Sequence, residues 1–106
     1  MAKRQTTLHP YADAIDTALA ALGQDLKIAR KRRGLSLRAW ALSLNVSVPT
    51  LRRLEQGDPT VGMGIYASVL HLIGQLPRLQ SLAAPNLDAA ALQLELTRVG
   101  VNTSGA

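Results

Sequence analysis

Lys27, Arg30, Lys31, Arg32, Arg33, Arg38, Arg52 and Arg53 give eight positive charges between positions 27 and 53, with no acidic residue among them. The segments before and after sum to −1 and −2. A surface that only keeps a protein in solution intersperses its signs, whereas a concentrated basic block attracts phosphate and releases counterions on contact. The plainer alternative is a solvated Arg/Lys face. Other chemistries lack their residues. Without cysteine there is neither a disulfide nor a thiolate metal site. His9 and His71 have no ligand companions, so His71 reads as a surface or interface residue and no metal is expected. GMG at 62–64 lacks the lysine of a phosphate-binding loop, and no serine sits in a nucleophile elbow beside a base. The carboxylates are few and scattered, so no catalytic residue, no cofactor and no enzyme is expected.

The basic residues fall on or beside two short helices. Ser36 can cap a helix whose apolar positions Leu37, Trp40, Ala41 and Leu44 recur at i, i+3, i+4 and i+7. Asn45 tolerates the left-handed backbone that stops a helix and turns the chain. Ser47 caps a second helix with Pro49 in its first turn, and Gly57 ends it. Val48, Leu51 and Leu54 then face inward, leaving Pro49, Thr50, Arg52 and Arg53 outside. A packed helix pair with a basic outer face on the second suits the major groove of DNA.

With 106 residues, about a third of them Leu or Ala, the chain reads as one small all-α domain. Residues 1–12 read as a flexible arm, 13–84 as the helix-turn-helix domain, and 85–106 as a short helix with a loose tail. Ala2, Lys3 and Arg4 in the arm either enter a minor groove or only solubilise the chain. Ile15, Leu19, Leu22 and Leu26 mark a first helix that runs through KIARKRR to Gly34; Gly23 weakens its middle, so that the helix either is broken or begins near there.

A fourth helix from Met63 shows two apolar stripes, Met63, Tyr66, Ala67, Leu70 and Ile73, and Ile65, Val69, Leu72 and Leu76. A helix apolar all round must be covered all round. A second copy of the chain covers one face in the homodimer reading, with Tyr66, Val69, Leu70 and Ile73 as interface candidates; the alternative is a central helix in a monomer. Pro77 starts a fifth helix with Leu79 and Leu82 on one side. Over 87–96 the alternation of Leu92, Leu94 and Leu96 suits a strand, while DAAALQLEL favours a short helix by propensity. The N-terminus lacks the apolar core of a signal peptide, and the uncharged stretch 59–77 is too short and too polar to span a bilayer. A cytoplasmic protein without a membrane partner is therefore expected.

Five helices carrying this pair second and third resemble the lambda-repressor-like, or XRE, class of helix-turn-helix domains. The likeness rests on Leu22-Gly23, Arg30, Gly34-Leu35-Ser36, Ala41, Val46-Ser47, Thr50 and LRRLEQG at 51–57. QGDPTVGMGIYASVLHLIG followed by LPRLQSLAAPNLD more particularly resembles HipB-type antitoxins, dimeric autoregulators that partner HipA-like Ser/Thr kinase toxins. The resemblance implies a buried structural pair between Arg30 and Glu55. It also implies base reading by Val48, Pro49, Thr50 and Arg53, with Arg53 suited to guanine O6 and N7. Ser36, Arg38, Ser47 and Arg52 would meet phosphates. The partners implied are an operator duplex, a second copy, and a HipA-like kinase or its companion protein. Leu37 stands where many relatives carry glutamine, and its side chain cannot contact a phosphate. Lys27, Lys31, Arg32 and Arg33 either steer approach to DNA or bind an acidic protein. A rival reading is an interaction module that clamps a kinase-like partner and binds little DNA.

Overall fold

Local signals explain most of the helix boundaries. A computed structural model describes residues 10–100, which form α1 (Ala12–Arg32), α2 (Leu37–Leu44), α3 (Val48–Glu55), α4 (Met63–Leu72), α5 (Leu76–Gln80) and α6 (Ala89–Arg98). No strand occurs among the described residues, and none of their helices is long and apolar enough to cross a membrane. The arm residues Ala2, Lys3 and Arg4, and His9, lie outside this range.

The caps of α2 and α3 are alike. Ser36 Oγ accepts from the Ala39 N–H at 3.0 Å, and Ser47 Oγ accepts from the Thr50 N–H at 3.2 Å. Each supplies a partner for a first-turn donor that the helix cannot satisfy itself. Asn45 takes φ 57° and ψ 44°, the left-handed cap that reverses the chain between the two helices. The last turn of α1 holds Arg30, Lys31 and Arg32, where cations meet the negative end of the helix dipole.

The chain divides into two compact units between Gly74 and Gln75. The sequence reading sets its boundary after Ala84. Gly74, at φ +74°, follows the fourth helix, and the first unit closes there. The core of the first unit is built on Leu26, Trp40, Ala41, Leu51, Leu54, Val61, Tyr66 and Val69. Leu22, Leu37, Leu44, Val46 and Val48 pack around it, as do Ile65, Leu70 and Ile73.

Two expectations for this unit change. Helix α1 runs unbroken through Gly23, which is buried against the end of α3. The two stripes of α4 are one: Ile65, Tyr66, Val69, Leu70 and Ile73 all lie on or against the core. Neighbouring positions 65/66 and 69/70 merge into a single broad face, while Met63 is 74% exposed and Leu72 40%. Tyr66 at 7% and Val69 at 0% therefore belong to the protomer's own core and have no free surface for a second copy. Leu70 and Ile73 are half-buried against the same core.

Tyr66 also pins the loop after α3. Its hydroxyl donates to the Asp58 carbonyl at 2.9 Å. Burial, and then the Asp58 charge, raise the phenol above its ordinary value of 10.0. Folding thus favours the neutral phenol. Its contribution is complete below pH 10 and is lost as pH climbs through the raised folded value. Tyr66→Phe should lose about 1 kcal/mol near neutrality. Its deficit against the parent should shrink in alkali, as read from urea unfolding at stepped pH. A deficit independent of pH would remove the burial argument.

The second unit contains α5, a 3-10 turn at Pro85–Leu87 and α6, none with a buried residue. Helix, not strand, forms over most of 87–96. Asp88 Oδ1 accepts from the Ala91 N–H at 3.0 Å, so a capped alanine run overrides the Leu92-Leu94-Leu96 alternation.

Candidate nucleic-acid interface

The orientation of α3 is set from below by charge. Arg30 Nε meets Glu55 Oε2 at 2.7 Å, its second terminal nitrogen meets Oε1 at 3.0 Å, and the first donates to the Leu35 carbonyl at 2.8 Å. Both side chains are buried. The hydrogen bond to Glu55 raises the guanidinium above its ordinary value, burial opposes this, and the Glu55 charge supports it. One side chain thus joins the last turn of α1, the chain entering α2 and the last residue of α3.

Above this clamp the α3 surface is polar. Pro49, Arg52 and Arg53 are exposed, Thr50 and Val48 half-buried. Val48 also packs on the core, so only part of it faces outward. Ser47 Oγ and Thr50 Oγ1 lie 2.8 Å apart. Their mutual bond uses one hydroxyl hydrogen and leaves the other for an external acceptor. Ser36 likewise accepts at its cap and keeps its own hydrogen to donate.

Two grooves flank α3. Arg38, Asn45, Ser47 and Val48 line one, beside its N-terminus. Lys27, Lys31, Arg52 and Gln56 line the other, between α1 and α3, with Leu37 at its side. The cations named for phosphate contact, Arg38 and Arg52, thus lie in different grooves. Sequence reasoning did not place Lys27 and Lys31 beside Arg52; their i, i+4 spacing on one face of α1 was the available signal. Arg33 differs, since it turns back to donate to the Ala29 carbonyl at 2.9 Å. Asp58 was also missed. Its Oδ2 lies 3.5 Å from Arg53 Nε, at the far end of α3 from the caps.

The outer face of α3 is thus basic, with several cations in the groove beside α1 and one, Arg38, in the groove at its N-terminus, an arrangement that suits contact with nucleic-acid phosphates. Residues 21–81, more than half of the chain, match the family model described as a helix-turn-helix domain. No curated protein and no solved structure matches the chain.

Proposed function

The chain belongs to the helix-turn-helix domain family, and from that premise we propose that it is a sequence-specific double-stranded DNA-binding repressor, a binding protein and not an enzyme. The observation that carries this reading is the exposed face of α3, where Pro49, Arg52 and Arg53 stand clear of a core sealed by Leu51 and Leu54. Arg53, with Pro49, Thr50 and the outer part of Val48, reads base edges; Ser36, Arg38, Ser47 and Arg52 hold phosphates. The protein acts as a homodimer that sets two α3 helices about one turn of DNA, ~34 Å, apart. The second copy docks on surface other than Tyr66 and Val69.

The resemblance of QGDPTVGMGIYASVLHLIG to HipB-type antitoxins supports a finer reading. In it the protein represses its own operon and partners a HipA-like kinase toxin or that toxin's companion. The rival, an interaction module with little DNA binding, is favoured by one observation. Leu82, Leu87, Leu92 and Leu94 in the second unit are all exposed, and apolar surface of that kind suits a protein partner.

A gel shift with the DNA upstream of the protein's own gene separates the two. Retarded duplex without any partner protein supports repression, and retardation only when the product of a neighbouring gene is added supports the rival. Arg53→Ala should lose roughly 1–3 kcal/mol of affinity for the retarded duplex and relax preference at one base pair. Arg38→Ala should weaken all sequences alike and flatten the salt dependence by about 0.9 in the log–log slope. Unchanged base preference in Arg53→Ala would remove that residue from the reading set.

A further inference from the structure

Arg53 is the arginine proposed to read bases from the α3 face, and a flexible guanidinium discriminates poorly between bases unless something fixes its plane. Its neighbour after the helix is built to do so. The Asp58 N–H donates to the Arg53 carbonyl at 3.0 Å, and the Asp58 carbonyl accepts the Tyr66 hydroxyl at 2.9 Å. Asp58 Oδ1 accepts both the Thr60 N–H at 2.8 Å and the Thr60 hydroxyl at 2.7 Å. Main chain and Oδ1 are so held, and Oδ2 lies 3.5 Å from Arg53 Nε.

We propose that Asp58 is a positioning residue for Arg53, directing its guanidinium so that discrimination between bases depends on this carboxylate. The inference rests on the DNA-reading role proposed for α3. The pair is open to solvent, with 49% of the Arg53 side chain and 25% of the Asp58 side chain exposed. An ion pair of that kind adds little to folding. A carboxylate at the foot of a cationic helix also repels phosphate, which works against affinity. What it gives is orientation. With Nε beside Asp58 Oδ2 at 3.5 Å, the two terminal nitrogens remain as the parallel donors that guanine O6 and N7 accept.

The test uses the full chain, a duplex it selects from a random-sequence pool, and unselected random duplex. Asp58→Asn removes the charge but keeps an amide oxygen for Thr60. Thr60→Val keeps the charge and removes one of its two anchors. Both should lower the ratio of selected to random affinity, Asp58→Asn by about tenfold, within the range set by one bidentate base contact. Affinity of Asp58→Asn for random duplex should hold or rise. In an Arg53→Ala background, Asp58→Asn should leave the ratio unchanged. If Asp58→Asn strengthens both duplexes equally, or still lowers the ratio without Arg53, the positioning role is wrong. If the parent protein selects no sequence, the reading of α3 itself fails, and this inference with it.

Discussion

Glu55→Ala is expected to destabilise the fold by about 3–5 kcal/mol, because it strands a buried guanidinium. Arg30 would keep only the Leu35 carbonyl as a partner, losing both Glu55 oxygens at 2.7 and 3.0 Å. An arginine cannot escape by releasing its proton, so the uncompensated charge stays in the core or drags water to it. Arg30→Met should cost less, since the carboxylate left behind can take up a proton. Replacing both, as Arg30→Met with Glu55→Leu, should recover most of the loss, because two apolar side chains of similar volume avoid the desolvation of two charges. Trp40, the single tryptophan and buried in the same core, makes fluorescence during urea unfolding a direct readout. A Glu55→Ala loss below about 1 kcal/mol would mean that the pair is solvated in solution and does not hold α3.

The same clamp bears on binding. Arg30 ties the end of α1 and the start of α2 to the end of α3, so a variant that survives folding should still present α3 at a poorly defined angle. Glu55→Gln keeps an acceptor for the guanidinium without its charge. Any loss of duplex affinity in that variant, beyond its loss of stability, measures how far orientation depends on the charge itself.

Signals that act within one turn of chain were readable. Ser36, Ser47 and Asn45 do locally what their chemistry favours, and the apolar spacing of α2 and α3 placed Trp40, Leu51 and Leu54 inside. What failed depends on neighbours distant in sequence. The two stripes of α4 merge because the core reaches both 65/66 and 69/70, and the helix alone cannot show how wide a face its neighbours cover. The basic block is likewise not uniform. Arg30 is consumed by Glu55 and Arg33 by its own helix, whereas Lys27 and Lys31 share a groove with Arg52. Pairing of Arg30 with Glu55 entered through the resemblance, since 25 residues separate them and no local pattern joins them. Over 87–96 alternation and propensity disagreed, and one capping aspartate favours the helix.

Gly23 gives the sharpest divergence between local and tertiary expectation. By helix propensity, Gly23→Ala in the middle of α1 should stabilise the protein by about 1 kcal/mol. The tertiary contacts require the opposite. A methyl group at Gly23 would lie 2.7 Å from the Leu54 and Glu55 carbonyl oxygens and the Gly57 nitrogen, all of them backbone atoms that cannot swing aside. The contact is reciprocal: a methyl at Gly57 would run into the Leu19 carbonyl oxygen and lie 2.5 Å from the Ala20 backbone, and Gly57 also holds φ +78°. Two glycines therefore let α1 and the end of α3 touch backbone to backbone, and this approach brings Arg30 within reach of Glu55. Either alanine should destabilise by about 3 kcal/mol or more, through overpacking and, at Gly57, added backbone strain. Gly64→Ala in α4, where nothing lies within 4 Å, supplies the control and should follow propensity with a gain of about 0.5–1 kcal/mol. If Gly23→Ala unfolded at higher urea than the parent, as Gly64→Ala should, the two helices would not be in backbone contact, and the support beneath α3 would have to come from the Arg30 clamp and apolar packing alone.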